Sequence, residues 1–310
     1  MQLPLFIQEK LKTYYSSIGK NKLTETRETL TGKYKQNSGT SQSLIVSKDE
    51  SLAYAISRMP ATYSVLVSLF VELKMEGFFE NINSIADVGS GTGSGYFAIK
   101  SEFEKIEINL YEINDLMIQV FNDISGGTAS VQKLNIITEK LPISADLVVS
   151  SYVLSELSNN DRIKAFQNLI NSSNKFVLIV DTGTPKTYTD YINLIEIAEE
   201  NNMTLVAPCC TIPCPLKNDY CAFYARTERS GALKVSKSAM KNYEDENYFY
   251  LLFCKDKMQV GGSRVIRRPV IKEGLIELKL CTPDGIKQEK VTRKNLKFKA
   301  IKKIKINEKI

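Results

Sequence analysis

The sequence predicts an α/β protein with a doubly wound, parallel central sheet. Three observations carry this reading. From Ser84 onward, short apolar runs alternate with amphipathic stretches of helical period. The first run, ending Ile85-Ala86-Asp87-Val88, passes directly into Gly89-Ser90-Gly91-Thr92-Gly93-Ser94-Gly95. The second, Ile106 to Glu112, ends on a carboxylate. A strand, a tight glycine turn and a helix start form the arrangement with which open α/β sheets hold nucleotide-like ligands at the carboxyl ends of their strands. Glycine lets the backbone bend sharply and approach a ligand, and the helix N-terminus adds free N–H groups.

Residues 1–80 read as an N-terminal helical region, with Leu3, Phe6, Ile7 and Leu11 at helical spacing and a flexible polar loop from Gln36 to Ser43. Pro60 interrupts a helical pattern, so two helices are expected to meet there. Residues 81–254 read as the core. Its strands are expected at 84–88, 106–112, about 129–134, 145–151, 175–181 and 203–207, with helices between them such as Asp161 to Asn171 and Tyr188 to Glu200. The apolar run Asn247 to Cys254 reads as an antiparallel edge insertion, and a Cys-rich insertion occupies about 207–246. Residues 255–310 read as a basic β unit and tail, with Asp284-Gly285 as a hairpin signal.

The spacing Asp87-x-Gly89-x-Gly91-x-Gly93 resembles motif I of class I S-adenosylmethionine-dependent methyltransferases. It fits the dinucleotide pattern Gly-x-Gly-x-x-Gly less well, and the Gly-Lys-Ser/Thr of a phosphate-binding P-loop is absent. The plainer reading is a glycine turn that binds nothing. Glu112 weighs against it, because it stands where a ribose-binding acid falls. The candidate cofactor-binding residues are therefore Asp87, Gly89, Gly91, Gly93, Glu112 and Ser151.

The chain has 310 residues and no histidine, which excludes a His general base, a Ser–His or Cys–His nucleophile pair and a Cys₂His₂ zinc site. No apolar run approaches the roughly 18 residues a membrane span needs. No apolar signal-peptide core with a small-residue cleavage site stands at the start. Charge is uneven. Residues 1–254 hold 24 basic and 29 acidic side chains, whereas residues 255–310 hold 17 basic and 6 acidic. A basic block of this kind suits a polyanion such as RNA, with Arg264, Arg267, Arg268, Lys302 and Lys303 as candidate contacts. A solvated, partly disordered tail over Lys294 to Lys309 is the alternative.

Four of the six cysteines, Cys209, Cys210, Cys214 and Cys221, lie within thirteen residues, with Pro208, Pro213 and Pro215 between and beside them. Thiolates in this number suit tetrahedral zinc or an iron–sulfur cluster. The absence of paired Cys-x₂-Cys knuckles leaves both open. Cys254, in an apolar strand, reads as core.

Ordered landmarks then extend over most of the chain. They are Ala53-Tyr-Ala, Arg58-Met-Pro-Ala-Thr-Tyr63, Asp87-Val-Gly-Ser-Gly-Thr-Gly93 and Ser151-Tyr-Val-Leu-Ser-Glu156-Leu. Thr182-Gly-Thr-Pro185, Ala207-Pro-Cys209, Cys214-Pro-Leu, Cys221-Ala-Phe, Tyr243-Glu-Asp-Glu246 and Cys281-Thr-Pro-Asp-Gly285 follow. From about Ser51 to Lys294 the sequence resembles the mitochondrial-type small-ribosomal-subunit methyltransferase-like family, which has bacterial and mitochondrial members. The resemblance implies a class I methyltransferase (Rossmann-like) fold that binds S-adenosylmethionine. It also implies a [4Fe–4S] cluster on Cys209, Cys214, Cys221 and Cys281, and a role on small-subunit rRNA, or the pre-ribosomal small subunit, during ribosome assembly. Three departures stand out. Cys210-Thr-Ile follows Cys209 where the family commonly reads Pro-His-Asp, and each of the first two cysteine gaps is shorter by one residue than the family's, so Cys210 is an alternative ligand; Asp181 also replaces the family's frequent Glu.

No catalytic residue is assigned. Amino methyltransferases carry Asn/Asp-Pro-Pro-Tyr/Phe after the fourth strand, where this chain reads Ser150-Ser151-Tyr152-Val153. No cysteine stands there for carbon-5 chemistry. An assembly factor is the first expectation. An active rRNA methyltransferase is the second, and a small-molecule methyltransferase with a structural zinc site the third. The protein is expected to be a monomer in bacterial cytoplasm, or alternatively in the mitochondrial matrix.

Overall fold

The computed structural model describes residues 1–229, 231, 240–256, 258 and 261–310. Part of the expected insertion, at residues 230 and 232–239, lies outside the described residues. The chain divides into two compact units, one of residues 1–181 and 225–246, the other of residues 182–224 and 247–310. Among the described residues, no helix is long and apolar enough to cross a membrane.

The first unit begins with helices α1 (Leu5–Ile18), α2 (Lys20–Asn37) and α3 (Lys48–Met75). α1 buries Ile7, Leu11 and Tyr14, whose spacing is the apolar stripe visible in the sequence. α3 starts at Ser47, whose side chain accepts the Glu50 N–H, while Glu50 accepts the N–H of Val46 at 2.8 Å and pairs with Lys33. These bonds satisfy donors that the first turn leaves open. The expected break at Pro60 does not occur, and a single helix runs through it. Proline forfeits one backbone hydrogen bond, but α3 buries 19 of its 28 residues, Pro60 and its neighbours Met59 and Ala61 among them, so packing keeps the helix continuous through the defect.

Five parallel strands follow. They are β1 (Ser84–Val88), β2 (Glu107–Glu112), β3 (Val131–Lys133), β4 (Ala145–Ser151) and β5 (Ser173–Thr182), in the order β3-β2-β1-β4-β5. β1 lies between β2 and β4, with Ala86 opposite both Asn109 and Val148. That central place accounts for its unbroken buried run from Ile85 to Val88. Helices α4 (Ser94–Glu102), α5 (Asp115–Ser125) and α6 (Asn159–Asn171) make the crossovers. Asn114 caps α5 by accepting from Leu116 and Met117, Gly126 ends it in the left-handed region, and Ser158 caps α6.

In the second unit the expected helix Tyr188–Glu200 is two helices, α7 (Pro185–Ile192) and α8 (Leu194–Glu200), separated at Asn193. Capping by Thr184 with Pro185 at the first helical position starts α7 earlier than its apolar period suggested. β6 (Thr204–Ala207) runs antiparallel to the end of β8 (Tyr243–Cys254), and Cys254 is fully buried in that strand. β7 (Phe223–Glu228), of which residues 225–228 are counted in the first unit, pairs with β8. A separate sheet contains β9 (Arg264–Val265), β10 (Val270–Lys272), β11 (Leu275–Thr282) and β12 (Gly285–Thr292), with Asp284-Gly285 at the β11–β12 turn. Its core is Val265, Ile276, Leu278, Leu280, Val291 and Ile301, the last from α9 (Phe298–Ile301). The final residues are thus folded against this sheet. Asn307 N–H donates to Val265 O and Ile310 N–H to Ser263 O, both at 2.8 Å.

Candidate functional site

The glycine turn connects β1 to α4 at the carboxyl end of the sheet of the first unit. Its glycines differ in what they face. A Cβ on Gly89 would meet Val153 Cγ2 at 2.2 Å, and one on Gly93 would meet the Phe121 ring at 2.4 Å. A Cβ on Gly95 would fall 2.3 Å from an Asp87 carboxylate oxygen. On Gly91 the nearest side chain is Met117, at 3.7 Å. Gly91 therefore borders open space, while the other three make room for protein.

That space is a cavity of about 210 Å³, lined in part by Gly89, Gly91, Glu112, Asn135, Ser151 and Tyr152. Glu112 is 8% exposed. It accepts backbone N–H groups of Gly91 (2.8 Å), Ile113 (2.8 Å) and Asn114 (2.9 Å). Burial pushes its proton affinity up, and these three donors oppose the shift. A carboxylate offers about four acceptor positions. One position on Oε2 is left for a ligand hydroxyl.

Asp87 and Gly93 are not on the cavity wall. Asp87 is fully buried behind the turn. Burial and the Glu112 charge push it up to about 7, with the Tyr96 N–H opposing. The hydroxyls of Ser90, Thr92 and Ser150 are buried without a hydrogen-bond partner. None of the three is on the cavity wall, so they lie behind the turn rather than facing a ligand.

Glu156, known from the sequence as part of a landmark, joins this site together with Tyr34 and Tyr54, which were not among the candidates. All three line the cavity. Tyr34 hydrogen-bonds the Glu156 carboxyl and stacks on Tyr54, with ring centroids 6.3 Å apart. Tyr34 lies on α2, ahead of every motif, so no local pattern marked it. Tyr152 holds a positive φ of 59°, and the Arg58 guanidinium, 5.6 Å from its ring, pairs with Glu246 at 2.6 Å.

The thiols of Cys209, Cys210, Cys214, Cys221 and Cys281 belong to the second unit. Burial raises the proton affinity of Cys209 and Cys221, the latter up to about 12, and neighbouring thiols raise both further. Cys210 shares a hydrogen bond with Cys281, which holds Cys210 at about 7 and pushes Cys281 up. The Tyr188 hydroxyl donates to Cys214 Sγ at 3.0 Å. Among the described residues, no group of three or more His, Cys, Asp or Glu has the arrangement of a metal site.

Arg264 corrects one expectation. It is fully buried, and it donates to Pro208 O at 2.8 Å and to Asn307 O at 2.6 Å, so it cannot face a nucleic acid. Arg267 is partly buried, paired with Asp219 and donating to Tyr220 O at 2.7 Å. Arg268 is exposed, with its guanidinium 4.0 Å from the Tyr224 ring centroid, and Lys302 and Lys303 are exposed.

The strand order and the glycine turn after the first strand define an α/β protein with the Rossmann-like core of class I methyltransferases. The family described as mitochondrial small ribosomal subunit Rsm22 matches residues 48–307, and the chain belongs to it. A curated relative, the human mitochondrial ribosome assembly protein METTL17, is 25% identical over 275 residues, covering 81% of this chain and 59% of that protein. The chain thus spans about three-fifths of the relative's length. Among solved structures, magnesium protoporphyrin IX methyltransferase from Synechocystis with bound SAM is 9% identical, at a TM-score of 0.41, covering 74% of this chain and 97% of that one. A ribosomal protein L11 methylase from Lactobacillus delbrueckii subsp. bulgaricus is 14% identical, at a TM-score of 0.38, covering 61% and 75%.

Proposed function

We propose that this protein is an S-adenosylmethionine-binding, methyltransferase-like factor that acts on small-subunit rRNA during ribosome assembly. Membership of the Rsm22 family over residues 48–307 carries the assembly reading. The curated relative, named as a ribosome assembly protein, agrees with it.

The cavity at the glycine turn is where the donor would bind. Gly91 leaves room for it, and Oε2 of Glu112 keeps one acceptor position for a ribose hydroxyl. Ser151 and Asn135 add polar wall. When bound, the donor supplies an electrophilic methyl group. The chain's own residues orient and enclose it, and no side chain here is assigned as a base or nucleophile. The RNA-facing side chains would be Arg268, Lys302 and Lys303, with Arg267 beside them. The protein would work in bacterial cytoplasm or in the mitochondrial matrix.

Cys209, Cys214, Cys221 and Cys281 would hold a [4Fe–4S] cluster, with Cys210 as the alternative to Cys209. The thiols come from two separate segments of one unit and press each other toward the protonated form. Crowded thiols of this kind are relieved by a cationic centre, which takes them as thiolates. The bond from Tyr188 to Cys214 would orient that ligand.

Two measurements test this reading. Tagged protein should co-sediment with small-subunit precursors, and its deletion should deplete mature small subunits. Protein found only in the unbound fractions, with normal subunits in the deletion strain, overturns the assembly role. Mass spectrometry of the deletion strain's rRNA then decides methyl transfer, because one missing methyl group makes the protein a methyltransferase. Anaerobic preparations should contain about four irons and four sulfides per chain. One zinc without sulfide replaces the cluster by a static clip.

A further inference from the structure

We propose that the cavity selects a cationic ligand, and that Glu156 distinguishes a sulfonium-bearing methyl donor from its neutral demethylated product. The proposal rests on the donor-site reading above. It assigns Glu156 as the specificity residue of that site.

The lining carries the first part of the argument. Its titratable side chains are Tyr34, Tyr54, Glu112, Tyr152 and Glu156, and among the described residues no Lys or Arg lines it. A pocket walled by acids and phenols favours positive charge over negative. The two carboxyls are not equivalent. Glu112 is engaged by three backbone N–H groups. Glu156, which also lines the cavity, is hydrogen-bonded by the Tyr34 phenol.

The turn that carries Glu156 is built to hold it there. It forms a short 3₁₀ segment, Leu154–Glu156, after β4. From one direction, the N–H groups of Gly39 and Ser41 donate to Glu156 O at 3.2 and 3.0 Å, and Ser38 Oγ donates to Ser155 O at 2.7 Å. From another, Arg162, 3% exposed, donates to Leu154 O and Leu157 O. The Ser155 N–H donates to Asp181 at 3.2 Å. The α2–α3 loop and α6 thus clamp one turn, and that turn aims a carboxyl at the ligand space.

The groups that face Glu156 are Tyr34 from α2, Tyr54 from α3, Glu112 from β2 and Asp181 from β5. Arg58, also on α3, is paired with Glu246 and acts on the two tyrosines. Burial, with Glu112 and Asp181, pushes Glu156 up to about 8, and the Tyr34 hydrogen bond opposes this. In the empty cavity at neutral pH, Glu156 therefore holds its proton. A sulfonium beside it reverses the balance, so the carboxyl gives its proton to solvent as the cation binds. A neutral thioether offers no such compensation.

The test is titration calorimetry of the full chain with S-adenosylmethionine, S-adenosylhomocysteine and sinefungin, whose amine replaces the sulfonium, at pH 6.5 and 8.5. The sulfonium ligand should bind about tenfold tighter than the thioether at pH 8.5, the order expected of one partly screened charge pair. Sinefungin should follow it. The preference should shrink severalfold at pH 6.5. The sulfonium lowers the pKa of the donor's own α-amino group relative to that of the thioether, so the ratio is compared between wild type and Glu156→Gln at each pH, where that ligand difference is common to both proteins. Glu156→Gln, which keeps the side chain's shape, should remove the preference by weakening the sulfonium ligand far more than the thioether. Tyr34→Phe should alter the pH dependence of the ratio. Equal affinities at both pH values, or a preference that survives Glu156→Gln in a folded protein, overturns the proposal. Failure of all three ligands to bind overturns the donor-site reading itself, and the inference with it.

Discussion

Glu112 and Gly91 are joined by a 2.8 Å hydrogen bond in which the Gly91 backbone N–H donates to the carboxylate. The shape of the glycine turn thus depends on a side chain at the end of the next strand. Glu112→Gln should orphan at least one of three backbone donors and cost about 1–3 kcal/mol in chemical denaturation. It should also weaken S-adenosylmethionine binding by at least about tenfold, the free energy of one good hydrogen bond to a charged group. Undiminished affinity in calorimetry would show that the ligand does not use the remaining acceptor position.

Gly91 and Gly93 should separate binding from folding. Asn tolerates the left-handed region, and Gly91 has a φ of 54° with open space before it. Gly91→Asn should therefore melt close to the wild type and bind no donor. Gly93→Ala drives a methyl group to 2.4 Å from Phe121 at a φ of 93°, so it should lower stability by several kcal/mol through overpacking and strain, on the order of 3. A Gly93→Ala protein as stable as the wild type would contradict the packing described for this turn.

Asp87 makes a pH prediction with a definite sign. Its affinity for a proton is higher folded, at about 7, than in the ordinary carboxylate range near 3.8. A group raised in this way stabilises the fold fully below its unfolded value, and that contribution is lost as pH rises through its folded value. Between about pH 4 and 7, Asp87 thus pulls stability downward as pH increases. Asp87→Asn stays neutral throughout. Denaturant midpoints compared at pH 5 and pH 8 should show the wild type losing more stability than the variant over that interval. Parallel profiles would refute the assignment.

Arg264 and Arg268 lie four residues apart and should behave oppositely. Arg264→Met leaves Pro208 O and Asn307 O without their buried donor and should destabilise the second unit by about 2–4 kcal/mol. Arg268→Ala should leave stability nearly unchanged, because the side chain is exposed. If it contacts phosphate, the slope of log affinity for rRNA against log salt should flatten by about 0.7–0.9. An unchanged slope in the Arg268 variant would remove that face from the RNA-binding surface.

The parallel sheet was legible because its signals are local. Continuous apolar runs mark doubly covered strands, and the glycine spacing marks the turn. Asn114, Ser158 and Gly126 sit where caps belong. What escaped was whatever depended on packing between distant segments. Proline disrupts an exposed helix, but Pro60 lies in the most deeply buried stretch of α3, and packing there decides the outcome. Tyr34 reaches the cavity from a helix of unremarkable sequence. Arg264 looked like one more charge in a basic block. Its burial follows from the pairing of β9 with β11 and from Asn307, more than forty residues away. Charge patterning records composition along the chain and cannot tell which cations the fold consumes internally.

The folded C-terminus has a thermodynamic consequence for any polyanion that meets it. Ile301 packs into the core of the second sheet, and the backbone of Asn307 and Ile310 is bonded to the β9 segment. The backbone ordering entropy of the segment between them is therefore spent when the protein folds, and only the exposed lysine side chains are left to be ordered at the moment of encounter. Lys302 and Lys303 are exposed side chains on a held backbone, so their points of attachment, though not their ammonium groups, keep a set spacing. A floppy polybasic arm grips anything negative. A preorganised one can prefer one shape of RNA over another without reading a single base.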